Sequence, residues 1–201
     1  MANLPLDDTD RSLSGRDRQD AALLDRVRAG DSAAYAQLLH AWWQPIVRYA
    51  ARLVGSVDGA EDIAQEAFVR LWERRNSWRP TSTPRLILYT IVRNLAISQR
   101  RNRAARAGHL ATHPLSLIRH PVTPAQAVEG EEFRVALTRA IDALSPRRRE
   151  VLLLSRDDGL SRAEIAALTG LSPQTVANYL AIAIAELREV LRPFLNEREG
   201  S

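Results

Sequence analysis

Apolar positions recur three and four residues apart along most of the chain, and strict alternation is scarce, so the pattern predicts helices throughout. A first short helix is expected from about Asp20 to Ala29, with Gly30 as its C-cap. Asp31 can cap the next helix, which carries "YAQLLHAWWQPIVRYAARLVG" to Gly55. Pro45 inside it predicts a kink or break. Asp58 with Glu61 forms a capping-box pattern for a third helix. There Ala60, Ile63, Ala64, Ala67, Phe68, Leu71 and Trp72 share one face. "NSWRPTST" reads as a loop, after which Thr83 caps and Pro84 opens a fourth helix reaching Gly108.

From Gly108 to Glu129 the period dissolves among three prolines, as a linker would. Helical patterning resumes with "EEFRVALTRAIDAL". Ser145-Pro146 starts a helix that ends at Asp158-Gly159. Ser161 with Glu164 is a second capping box, and its helix stops at Gly170. Ser172-Pro173 starts the last helix, with the stripe Val176, Leu180, Ala183, Ile184, Leu187, Val190 and Leu191. The expectation is therefore an all-α chain of two small helical domains, residues 19–107 and 131–195. They are joined by a flexible linker at 108–130 and flanked by tails at 1–18 and 196–201.

Composition narrows the function. The chain has 201 residues, 45% hydrophobic and 26% charged, as a folded soluble protein has. Its net charge of +4 leans mildly toward acidic partners such as nucleic acid. All 28 basic residues are Arg, a coding bias with a physical effect, because Arg forks onto phosphate and guanine edges better than Lys. The absence of Cys excludes disulfides, thiolate zinc sites and Cys nucleophiles, and fits a reducing cytoplasm. No apolar run approaches membrane-spanning length, and the polar, acidic start is unlike a signal peptide. His109 and His113 are four apart but lie beside Pro114 with no carboxylate near, so no metal or other cofactor is expected. No Ser-His-Asp arrangement or Gly-rich phosphate loop points to an enzyme.

Segments 145–158, 161–168 and 172–194 make a tri-helical helix-turn-helix unit, whose short turn at Gly170 fixes the angle of its last helices. By itself such a unit fits either DNA binding or protein binding, and response regulators of the LuxR type end in a similar one. The first half separates these. "AEDIAQEAFVRLWE" followed by "LILYTIVRNLAISQRRN" resembles region 2 of the extracytoplasmic-function (ECF) sigma factors. "ALSPRRREVLLLSRDDGLSRAEIAALTGLSPQTVANYLAIAIAELR" resembles their region 4.

The resemblance implies a promoter-specificity subunit of bacterial RNA polymerase without catalytic chemistry. Region 2 would hold the polymerase clamp helices and melt the −10 element; region 4 would hold the flap and read the −35 element. An anti-sigma factor is the implied regulatory partner. Asp62, Gln65, Glu66, Val69, Arg70 and Glu73, opposite the apolar face of the third helix, are the expected clamp-binding residues. The loop "RRNSWRPTSTPR" lies where the family captures a flipped base, with Asn76, Arg79, Ser82 and Thr83 as polar candidates. Trp78 fits either a hydrophobic anchor or a stacking surface. Asn94 matches the family's Asn and fits either a base contact or an inward structural bond. Arg85, Arg93, Arg100, Arg101, Arg103 and Arg106, on a helix without acids, fit either a solvated face or promoter backbone contact.

In the last helix Ser172, Pro173, Gln174, Thr175, Ala177 and Asn178 are the expected −35 readers. From Ser172 to Leu187 that helix has no basic residue, so adenine and thymine edges suit it better than guanine. Affinity would come from Arg147, Arg148, Arg149, Arg156 and Arg162 on phosphates and from the amide end at Ser172. The chain departs from the family pattern at Ile87, where Trp is common, and at Ser98, where Asp is common. It departs again in the unusually apolar "VANYLAIAIAEL" and in a linker with three His. A sigma-like decoy that only titrates an anti-sigma factor is the rival reading, against which the basic fourth helix argues.

Overall fold

The computed structural model describes residues 15–78, 83–106 and 129–196, and among these every regular element is helical. The chain divides into two compact units, 1–118 and 119–201. The 1–18 and 196–201 tails and the 108–130 linker fall largely outside the described residues.

The first unit contains α1 (Gly15–Arg28), α2 (Ser32–Val54), α3 (Val57–Glu73) and α4 (Pro84–Arg106). α1 begins a turn before the expected Asp20, because its polar start carries no apolar signal. Asp20 is itself buried, and its Oδ2 accepts from the indole N–H of Trp42 at 3.1 Å. Gly30, at φ +87°, ends the helix: its N–H reaches the carbonyl of Val27 and that of Asp31 reaches Arg26. Asp31 then caps α2 as expected, accepting from the amides of Ala33 and Ala34 at 2.9 and 3.0 Å.

α2 continues as one helix through Pro45, so of the kink or break its sequence suggests, the break does not form. A mid-helix proline costs about 3 kcal/mol. The buried stripe of Ala34, Leu38, Trp42, Ile46, Tyr49 and Ala50 offsets this, since each large apolar side chain contributes about 1.5–3 kcal/mol. The predicted capping box of Asp58 and Glu61 does not form. Ser56, in extended backbone, is the N-cap and makes no side-chain cap bond, which leaves Asp58 inside the first turn. There its charge still suits the positive helix end. The apolar face of α3 is buried as expected except at Trp72, which is half-buried.

The second unit contains α5 (Glu129–Ala143), α6 (Pro146–Arg156), α7 (Arg162–Thr169) and α8 (Pro173–Asn196). α5 starts at Glu129, inside the expected linker, and α6 stops at Arg156, short of Asp158. The capping box at Ser161 and Glu164 is complete: the amide of Ser161 donates to Glu164 Oε2 at 2.9 Å and Glu164 N to Ser161 Oγ at 3.3 Å. Gly170 turns the chain at φ +72°; a Cβ there would meet open space, so the dihedral alone demands glycine. α5, α6 and α7 all pack on α8. Val190 leaves the predicted stripe and is 52% exposed, whereas Leu191 beside it is buried and Phe194, a turn further on, packs against Phe133 of α5.

Candidate functional site

Asp62, Gln65, Glu66, Val69 and Glu73 are exposed together along α3, with Arg70 half-buried beside them. Arg70 Nε donates to Glu66 Oε1 at 2.7 Å, an exposed i,i+4 pair. Such a pair contributes about 0.2–1 kcal/mol, so it shapes the face more than it stabilises the helix. Opposite this face Tyr35 donates from its hydroxyl to the carbonyl of Phe68 at 3.0 Å, holding α3 on α2. Burial pushes the Tyr35 phenol above its ordinary value.

Beyond α3 the chain makes a 3-10 turn, Arg75–Ser77, and side chains of the turn satisfy the last carbonyls of α3. Arg75 Nη1 donates to Trp72 O at 2.9 Å while its guanidinium lies 4.6 Å from the Trp72 ring centre. Ser77 Oγ donates to Arg74 O at 2.7 Å, and Trp78 Nε1 to Leu71 O at 3.4 Å. Half-buried Trp78 is thus anchored by its indole, and Asn76 is left exposed on the turn. Sequence reasoning missed Arg75; its three-residue spacing from Trp72 was the available signal.

Arg79 and Ser82 lie outside the described residues, as do the side chains of Arg100, Arg103 and Arg106. Thr83 Oγ1 accepts from Leu86 N at 3.3 Å, so this candidate base contact also caps α4. Asn94 is exposed, which removes the inward structural alternative. Arg101 is exposed, whereas Arg85 and Arg93 are half-buried.

At α8, Ser172 Oγ accepts from Thr175 N at 3.0 Å and shares a hydrogen bond with Thr175 Oγ1 at 2.8 Å. Pro173, Gln174 and Asn178 are exposed, Thr175 and Ala177 half-buried, and Val176 fully buried, so the first turns of α8 present the face expected of them. The arginines of α6 divide. Arg147 is 56% exposed and touches Glu150 at 3.4 Å. Arg148 pairs with Glu186 of α8 and donates to Ser145 Oγ at 2.8 Å. Arg149 is only 12% exposed and turns inward. Arg156 is exposed and Arg162 half-buried.

The model of sigma-70 region 2 matches residues 38–106, and that of sigma-70 region 4 matches residues 134–187. The chain belongs to the ECF sigma factors. ECF RNA polymerase sigma factor SigL of Mycobacterium tuberculosis is 33% identical over 82% of this chain and 94% of its own. The protein named "Probable RNA polymerase sigma factor RfaY" of Xanthomonas campestris is 34% identical over 89% of this chain, which spans 46% of that relative's length. Among solved structures, the sigma factor RpoE of Bartonella quintana, in complex with the anti-sigma factor NepR, is 25% identical. That likeness has a TM-score of 0.61 and covers 79% of this chain and 96% of that one.

The first unit is therefore sigma region 2 and the second sigma region 4. Sigma factors direct RNA polymerase to promoters and are non-enzymatic regulators of transcription, so this chain is a promoter-directing factor. No helix among the described residues is long and apolar enough to cross a membrane.

Proposed function

We propose that this ECF sigma factor works in the cytoplasm, seats itself on core RNA polymerase through the outward face of α3, and opens and reads promoter DNA with the rest of its surface. Asp62, Gln65, Glu66, Val69, Arg70 and Glu73 take the clamp helices. Asn76, Trp78, Arg79, Ser82, Thr83 and Asn94 capture the −10 element as it unpairs, while Arg85, Arg93 and Arg101 steer the phosphates. Region 4 sits on the flap and reads the −35 element with the first turns of α8, helped by Arg147 and Arg162. The domain map is two working units, 19–107 and 131–195, with 108–130 between them. The chain needs no cofactor and does no chemistry of its own.

The observation that carries this reading is the order of the two family matches, with an exposed acidic-apolar face on the first and an outward Gln174–Asn178 edge on the second. An anti-sigma partner is part of the proposal, supported by the complex in which the RpoE relative was solved. The test is purified chain added to core polymerase and a promoter library. Specific transcripts that depend on both elements are expected, and a chain that binds an anti-sigma factor but never yields a transcript would be a decoy.

A further inference from the structure

Resting on the reading of α8 as the helix in the groove, we propose that Gln174 and Asn178 act as one reader of a single A·T pair. Gln174 Nε2 donates to Asn178 Oδ1 at 3.0 Å across one turn of α8, and both side chains are exposed. A free carboxamide offers two N–H donors and an oxygen acceptor. Joined this way, the two carboxamides have a fixed polarity. Gln174 keeps Oε1 as its outward acceptor, with one Nε2 hydrogen left beside it, and Asn178 keeps both Nδ2 hydrogens as outward donors.

The base edges differ in what they offer such a unit. In the major groove adenine shows an amino donor at N6 beside an acceptor at N7, guanine shows acceptors at O6 and N7, and cytosine shows a donor at N4. On a single base, an acceptor end beside a donor end is satisfied fully only by adenine. On guanine, Oε1 of Gln174 would meet a second acceptor out of water, a loss larger than a missing bond. The hydroxyls of Ser172 and Thr175 are engaged with each other at the helix start, and no Arg lies between Ser172 and Leu187 to read guanine instead. The intramolecular bond also orders both side chains before DNA arrives, which lowers the entropy lost on binding.

The experiment uses holoenzyme assembled from core polymerase and the full chain, selected on promoters randomised across the upstream element. Wild type is compared with Gln174→Ala, Asn178→Ala and the double variant. Each single variant should lose about tenfold of the preference, at the same A·T position, and the double variant should lose no more than about tenfold. Losses at different positions that multiply to about a hundredfold overturn the coupling but leave α8 in the groove. An upstream preference untouched by all three variants takes α8 out of the groove and overturns the proposal with it. Gln174→Glu tests the polarity. A carboxylate can only accept, so Asn178 must donate to it and turn Oδ1 outward, and preference should move from adenine toward cytosine. Adenine preference retained by that variant overturns the fixed polarity.

Discussion

Arg149 folds back onto the end of α5: its Nη2 donates to the carbonyl of Leu144 at 3.2 Å, and its Nη1 lies 3.5 Å from Asp142 Oδ1. Arg147, two residues earlier, points outward and is 56% exposed. Equal residues in one "RRR" run therefore have unequal tasks. Arg149→Ala should cost about 1.5–3 kcal/mol of region 4 stability, the range for hydrogen bonds to a charged group. Arg147→Ala should leave stability alone and reduce by about 0.9 the slope of log affinity against log salt, one phosphate's worth. Denaturant unfolding and salt titration of promoter binding read the two effects separately. The reverse pattern would make Arg149 the phosphate contact.

Charge reversal at Asp62 and Glu66 tests the polymerase face. Both are exposed on α3, where Glu66 pairs with Arg70. Losing that surface pair costs about 0.2–1 kcal/mol at most, so helical content by circular dichroism should stay as it is. Core enzyme pulled down by the chain should fall severalfold. Undiminished pull-down would place the clamp contact on another face.

Melting of the −10 element is best tested without disturbing α4. Thr83 caps that helix, so Thr83→Ala would mix about 0.5–2 kcal/mol of lost capping into any DNA effect. Thr83→Ser keeps the capping hydroxyl, and Asn76→Ala removes an exposed side chain from the turn that Arg75, Ser77 and Trp78 hold. Asn76→Ala should lower permanganate reactivity of the start-proximal thymines more than it lowers closed-complex binding. Equal loss in both would make Asn76 a source of general affinity.

Much of this architecture was legible because its signals are local. The caps at Asp31 and at Ser161 with Glu164, and the left-handed glycines at 30, 55 and 170, depend on neighbours within a few residues. The start of α3 was misread because Ser56 and Asp58 are both good caps, and only the extended backbone at Ser56 decides between them. The helix runs on past Pro45 because the apolar stripe of α2 is buried on both sides of it, and how fully that stripe is covered depends on the helices it meets. The division of labour in Arg147, Arg148 and Arg149 was invisible for the same reason: it depends on where the end of α5 and Glu186 of α8 come to rest. The polar side of α3 and the outward turn of α8 followed from helical period, whereas the exposure of Asn94 was left open by the sequence, and Arg75 over Trp72 was within reach of a spacing argument and was overlooked.

Asp31 links region 2 stability to acid. The amides of Ala34 and Ala33 and the Arg26 guanidinium, 2.7 Å away, hold its carboxyl below the ordinary 3.8, with the Ala34 amide the largest cause. A carboxyl depressed in the folded state stabilises it above the unfolded value, and that stability is lost as pH falls through the folded value. Asp31→Ala should therefore lower the melting temperature of the region 2 unit at neutral pH. The gap between variant and wild type should close below about pH 3.8, where the cap carboxyl protonates. A gap constant down to pH 2 would mean that the charge contributes nothing to the cap.

The aim of α8 depends on what lies under it. Leu144 and Leu152 are buried against Ala183, with Ile141, Leu180, Ile184 and Leu187 packed around them. This cluster joins α5 and α6 to the middle of α8, so it fixes the direction in which Gln174 and Asn178 point. Leu152→Ala should cost about 2–5 kcal/mol through lost burial and the cavity left behind. A domain of this size holds only several kcal/mol in total, so the change should leave region 4 barely folded. Ile182→Ala, one residue from Ala183 but 46% exposed, should stay within about 0.5 kcal/mol of wild type. The chain carries its own control: Trp42, Trp43, Trp72 and Trp78 are its four tryptophans, and all lie in region 2. Tryptophan fluorescence therefore follows region 2 alone, while circular dichroism follows both units. Leu152→Ala should bring part of the circular dichroism transition to lower denaturant and leave the fluorescence transition in place. If both probes shift together, the two units unfold as one and the division of the chain into separate working domains is wrong.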